Sequence, residues 1–168
     1  MKPIILKSIL LVSLLVVAEG VWAKKPSVRN YEVEPVAVGS VDTYLVKVWL
    51  YTKEKKWDKL SALAKNNAVH CIIFRGFEAK NGVERVPALA WENPNLEATH
   101  KDFFDSFFAD DGKVLEFADV VSDGIAAENR VKLSSGGYKI GIEVSVRKRA
   151  LKDYLVAAGI LRSMDSGF

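Results

Sequence analysis

Residues 68–77, AVHCIIFRGF, place His70 beside the only cysteine, Cys71, and histidine and cysteine are the partners of thiol nucleophile chemistry. An imidazole activates a thiol when their heavy atoms approach to about 3 Å. The apolar run predicts a β-strand here, and successive strand side chains point to opposite faces. Neighbours on a strand cannot form such a pair, so we expect Cys71 to fill the core as a small hydrophobe.

Other catalytic or metal-binding patterns are missing from the sequence. Two histidines, His70 and His100, and one cysteine make no zinc motif. The DDG run at 110–112 lacks the alternating oxygen ligands of a calcium loop and is typical of a turn. The SSGG run at 134–137 is neither a nucleophile elbow nor a phosphate loop. The sequence therefore predicts no catalytic residue, no metal ligand and no cofactor.

Four large side chains are candidate partner-binding residues: Trp49, Tyr51, Arg75 and Trp91. Trp49 and Tyr51 lie on the face of a predicted strand opposite Val48. Arg75 lies at the carboxyl end of the predicted strand 68–77, where ligands of parallel sheets bind, and Trp91 lies in a proline-containing connection. Exposed aromatic rings suit contact with protein or glycan, whereas the alternative is that these rings line the core.

Basic residues cluster at 53–59 and at 147–149. Such clusters can contact an anionic lipid headgroup, although a solvated surface is their commoner meaning. The formal net charge is only +3, and no nucleic-acid-binding motif accompanies it. The sequence therefore argues against a nucleic-acid partner and leaves peripheral membrane contact open.

The first 23 residues are typical of a secretory signal peptide. Lys2 and Lys7 precede an apolar core at 8–18, and the segment ends on the small residue Ala23. The core is shorter than the about 20 apolar residues that span a bilayer. We expect cleavage after Ala23, with Ala18 as a second possible cleavage point, and export to the periplasm or cell envelope; the alternative is an uncleaved anchor. A single domain, 24–168, would remain, and its one cysteine allows no internal disulfide.

The periodicity of the first half predicts strands at 31–38 and 43–51. The first is an edge strand, because Pro35 cannot donate a ladder hydrogen bond. Apolar residues three to four apart predict a helix over 57–67 that stops at its two asparagines. With the strand at 68–77, the segment from 43 onward predicts a βαβ unit with parallel strands.

In the second half, Thr99 is the predicted cap of a helix with four phenylalanines on one face. Residues 113–121 predict a strand, 130–146 a hairpin, and 149–160 a last helix. The order predicts an α+β fold, in the form of a two-layer α/β sandwich. Its mixed, mostly antiparallel sheet would contain one βαβ unit, with about three helices chiefly on one face.

The segments TYLVKVWLY, AKNNAVHCIIFRGF and LVAAGILRSMDSGF resemble a family of small exported bacterial cell-envelope proteins that has no assigned activity. The resemblance covers most of the chain after the signal segment. It implies a periplasmic or envelope setting and supplies no catalytic residue, since its motifs are hydrophobic and glycine positions. The element order is also similar to periplasmic domains of envelope lipoproteins that activate peptidoglycan synthases or build secretion pores, by fold alone.

These observations favour an exported, non-enzymatic protein that binds another envelope protein or takes part in an envelope assembly. One alternative is a small exported hydrolase using scattered carboxylates or His100, which requires a deep pocket with converging polar groups. Another is a glycan- or lipid-binding module using Trp49, Tyr51 and Trp91, which requires these rings to lie outside the core.

Overall fold

The computed structural model of the protein describes residues 29–40 and 42–162. The predicted signal peptide, 1–23, lies outside the described residues. The strands are β1 (Tyr31–Ser40), β2 (Thr43–Thr52), β3 (Ala118–Val120), β4 (Arg130–Lys132) and β5 (Tyr138–Arg147). The helices are α1 (Trp57–Phe74), α2 (Leu96–Thr99), α3 (Lys101–Phe107) and α4 (Lys148–Ala157), with 3₁₀ helices at Lys113–Phe117 and Ala127–Asn129. The predicted α+β class is confirmed.

The described strands form one antiparallel sheet. Its order is β1-β2-β5, and β3 and β4 both pair with the far edge of β5, towards its two ends. Each of these pairings is antiparallel. The mostly antiparallel sheet is therefore confirmed, whereas the βαβ unit is wrong, because no parallel pair joins the described strands.

The core lies against one face of the sheet. The register places Val46 opposite Val144 and Val48 opposite Ile142, and all four side chains are fully buried. The positions between them, such as Lys47 and Glu143, are only partly buried. This alternation is typical of an antiparallel sheet with helices on one side and solvent on the other. Each fully buried aliphatic side chain contributes about 1.5–3 kcal/mol to folding.

Residues 68–74 continue α1 and form no strand, so the strand predicted at 68–77 is wrong. The last turns of this helix are buried on every side, from Asn67 to Ile73. A helix that is apolar all round has the same sequence pattern as a central strand. The predicted stop at the two asparagines fails because Asn67 stays inside the helix, where its side-chain oxygen accepts a hydrogen bond from Arg29 at 3.4 Å.

Two further predictions of the second half are wrong in detail. Thr99 ends α2 instead of capping the next helix, and its hydroxyl donates to the Leu96 carbonyl. Residues 113–117 form a 3₁₀ helix, and only the last three of the predicted strand residues before Val121 are extended. Val114 and Phe117 are both buried. Residues three apart lie on one side of a 3₁₀ helix, so both side chains face the core.

The remaining elements agree with the sequence. The predicted hairpin is β4 and β5, and the predicted last helix is α4 with Leu151 and Leu155 buried. Phe104 and Phe107 of α3 are buried, and their rings pack edge-to-face and stacked with neighbouring rings. None of the helices in the described residues combines the length and the apolar character needed to cross a membrane.

Candidate functional site

His70 and Cys71 are adjacent on α1 and both are buried. Consecutive helix residues do not face each other, so the two side chains form no pair. The Cys71 thiol donates to the Gly76 carbonyl at 3.0 Å. Burial raises the pKa of this thiol to about 12, so it stays protonated and unreactive at neutral pH. The predicted core role of Cys71 is confirmed, although helix geometry and not strand geometry explains it.

His70 is the central member of a chain of three polar side chains. The Tyr31 hydroxyl lies 2.6 Å from His70 Nδ1, and the Glu97 carboxylate lies 3.5 Å from Nε2. Because Nε2 faces a carboxylate, it carries the ring proton, and Nδ1 accepts from Tyr31. Burial, with the nearby guanidinium groups of Arg29 and Arg75, lowers the His70 pKa to about 3, despite the half-exposed Glu97.

A carboxylate, an imidazole and a hydroxyl in line are also the parts of a catalytic relay. The hydroxyl here belongs to Tyr31, which is 6% exposed and whose pKa is raised, chiefly by burial. It is therefore neither accessible nor ionised. The chain Glu97–His70–Tyr31 instead ties α2 to α1 and to the first strand of the sheet.

Arg75 lies beside a groove of about 460 Å³ that runs along the outer edge of β1. Its guanidinium lies 4.5 Å from the centre of the Tyr31 ring. Lys80 pairs with Glu34 at 2.7 Å across the groove, and the Asn81 side chain donates to the Pro35 carbonyl. This ion pair, this hydrogen bond and Pro35 itself protect the outer edge of β1 from the addition of another strand. Arg75 follows a helix, so the argument from parallel strands does not apply to it.

Trp49 and Tyr51 lie on the solvent face of the sheet, where both are half-buried. The Trp49 ring covers Gly141, its partner on β5. The Lys139 ammonium lies 5.1 Å and 5.2 Å from the centres of the two rings, and Glu32 accepts from both Lys139 and Tyr51. The same contacts lower the pKa of Glu32. Both rings are thus engaged within the sheet face.

Trp91 is different, because it is 64% exposed and borders a cleft of about 610 Å³. We call this the Trp91 cleft. Its lining comes chiefly from the connection between α1 and α2, from the start of α2, from α4 and from the residues after α4, and its uncharged polar members are Tyr44 of β2 and Asn93. The apolar lining is Val86, Pro87, Ala88, Leu89, Ala90, Trp91, Leu96, Ile160 and Leu161; the charged lining is Arg85, Lys148, Lys152 and Arg162, with Glu92 as the single acidic residue.

The connection that carries Trp91 is fixed to the end of α1. The backbone N–H groups of Leu89 and Ala90 donate to the carbonyls of Ile72 and Ile73 at 2.9 and 2.8 Å. These carbonyls would otherwise lack partners at the helix end. Just before them the connection crosses Gly76, whose φ is +67° and where a Cβ would lie 2.8 Å from the Ala88 nitrogen. Only glycine fits at this position, so this wall of the cleft depends on Gly76.

The opposite wall depends on how α4 ends. Ile160 N–H donates to Leu155 and Gly159 N–H donates to Val156, and Gly159 has φ +71°. This is the Schellman arrangement, in which a left-handed glycine turns the chain back across the helix end. It brings Ile160 and Leu161 into the cleft.

Of the four predicted partner-binding residues, only Trp91 lies in the Trp91 cleft. Trp49 and Tyr51 lie together on the sheet face, and Arg75 lies at the β1 groove. Sequence reasoning missed Lys152, Ile160, Leu161 and Arg162 as cleft residues. The signals in the sequence were the basic run at 147–149 and the glycine stop of the last helix.

No group of three or more histidine, cysteine, aspartate or glutamate side chains in the described ranges is arranged to hold a metal ion. Comparison with protein-family models, with curated proteins and with solved structures finds no match.

Proposed function

We propose that the chain is an exported cell-envelope protein that works by binding another protein in the Trp91 cleft, without catalysing a reaction. The observation that carries this proposal is the exposed indole of Trp91 beside an apolar floor. Tryptophan and arginine are the residues that most often dominate the energy of protein interfaces, and Arg85 and Arg162 lie in the same lining. The export itself rests on the signal-peptide pattern of the first 23 residues.

The chemistry of the lining favours binding over hydrolysis. The described lining residues include no histidine, cysteine or serine, and Glu92 is their only carboxylate. A hydrolytic site needs a nucleophile or an activated water with a base in reach. His100, the other candidate of the hydrolase hypothesis, is not a lining residue of the cleft. A glycan site built from Trp49, Tyr51 and Trp91 would need these rings to converge, which is at odds with their separate surroundings.

Affinity purification from envelope extracts tests the proposal with three forms of the protein. Trp91→Ala removes the exposed ring, and Val131→Ala is the matched control, because Val131 on β4 is 51% exposed and lies outside the cleft. We expect the wild type and Val131→Ala to retain the same discrete partner, and Trp91→Ala to lose most of it. A monomeric wild type without a partner, or equal recovery with Trp91→Ala, contradicts the proposal.

A further inference from the structure

We infer that the segment of the partner that enters the Trp91 cleft is extended and alternates acidic with apolar residues. This inference rests on the proposed function and specifies the chemistry of the partner at the same site. It is carried by two features of the lining, namely the excess of basic over acidic side chains and the spacing of the basic residues.

The first feature is that three basic side chains of the cleft have no acidic partner among the described residues. Within the described residues, Lys148, Lys152 and Arg162 have no carboxylate within ion-pair distance, while Arg85 pairs with Glu78 at 3.4 Å. Lys148 instead lies over the Tyr44 ring, 4.8 Å from its centre. Cations that line an apolar cleft attract an anionic ligand more strongly than cations on an open surface, because less water screens them.

The second feature is spacing. Lys148 and Lys152 are four residues apart on α4, so their side chains lie on one side of the helix, about 6 Å apart along its axis. In an extended peptide, residues i and i+2 point the same way and are about 6.7 Å apart. Acidic residues at i and i+2 thus match the two lysines, and the residue between them points away from α4.

The intervening residue has an apolar surface to meet. The connection 86–91, which forms the wall opposite α4, supplies aliphatic side chains and the Trp91 ring. Contact with a ring as exposed as Trp91 removes a large apolar area from water. An acidic–apolar–acidic stretch therefore satisfies the basic and the apolar parts of the cleft together. A lipid headgroup would place its charge at one point, whereas these cations are distributed along α4 and beyond it.

Selection from a random peptide library displayed on phage tests the inference directly. Four targets are compared: the wild type, Trp91→Ala, the double variant Lys148→Glu with Lys152→Glu, and a control with the same change of charge as the double variant, Lys55→Glu with Lys56→Glu. The control lysines are exposed and lie outside the cleft. We expect the wild type and the control to enrich peptides with Asp or Glu at i and i+2 around an apolar residue. The cleft variant should lose this enrichment.

The affinity of a synthetic peptide with the enriched sequence measures how much the two lysines contribute to binding. We expect its dissociation constant to rise at least about tenfold for the cleft variant, equivalent to about 1.4 kcal/mol, and to change little for the control. Salt should weaken the binding to the wild type. Enrichment that depends on Trp91 but has no acidic preference overturns this inference and leaves the proposed function in place. Enrichment that is identical for Trp91→Ala contradicts the proposed function as well.

Vesicles separate a lipid ligand from a peptide ligand. Cosedimentation of the wild type with phosphatidylglycerol vesicles, lost in Lys148→Glu with Lys152→Glu and unaccompanied by peptide enrichment, overturns the inference in favour of lipid. We expect no difference between the wild type and this variant in that assay.

Discussion

The buried neutral imidazole of His70 should make the protein less stable as the medium is acidified. Its pKa is lowered from 6.5 to about 3 in the native state. Between these values the unfolded chain binds a proton at this histidine and the native chain does not. The full contribution of His70 to stability is therefore present above about pH 6.5. Below that pH, the free energy of unfolding falls by about 1.4 kcal/mol per pH unit. Between pH 6.5 and 4.5 the loss amounts to roughly 2 kcal/mol once the gradual onset near 6.5 is included.

The variant His70→Asn tests this reasoning, because Asn cannot titrate and can still accept from the Tyr31 hydroxyl. Urea unfolding followed by tryptophan fluorescence at pH 6.5, 5.5 and 4.5 gives the free energy of unfolding. We expect His70→Asn to be less stable at pH 6.5 and to show a loss on acidification smaller by roughly 2 kcal/mol. His100→Gln is the control and should keep the wild-type gradient. A gradient that persists unchanged in His70→Asn would refute the assignment.

Three further outcomes are expected. Cys71 should react with a thiol reagent only as fast as the protein unfolds, because the thiol is buried and its pKa is raised to about 12; labelling of the native protein at the rate of a free thiol would contradict this. Gly76→Ala should destabilise the protein by more than the roughly 1 kcal/mol expected for Gly82→Ala, as measured by urea unfolding. Both glycines have positive φ, but only at Gly76 would a Cβ meet backbone, that of residues 86–88. Mass spectrometry of the exported protein should show a chain that begins after Ala23, and an intact N-terminus would instead favour an uncleaved anchor.

Alternation along the sequence was sufficient to predict the two long central strands, β2 and β5. Along β2 and β5 every second residue is buried, as Val48 and Ile142 are, and a period of two has no other common structural meaning. The C-terminal half of α1 has no such period. Its residues from Asn67 to Ile73 are all buried, and a run that is buried on every side is compatible with a central strand and with a central helix. Only the three-dimensional surroundings decide between them.

The candidate site was predictable in part. Trp91 stood out in the sequence as a large aromatic residue in an irregular connection. Its neighbours in the cleft, such as Lys152 and Leu161, are about 60 to 70 positions later in the chain, and each is ordinary in its own local pattern. They reach the cleft because α4 lines it together with the connection, and because Gly159 reverses the chain after α4. Local periodicity carries no information about such a meeting of distant segments.

The most direct test of the central claim, that the Trp91 cleft binds another protein, is photocrosslinking in the intact cell envelope. A photoreactive amino acid is placed at Glu92 in the cleft lining and, for comparison, at Val121, which is 56% exposed and lies outside the cleft. We predict a discrete covalent adduct with one envelope protein from position 92, abolished by Lys148→Glu with Lys152→Glu. The absence of an adduct from position 92, or the same adduct from position 121, would contradict the claim.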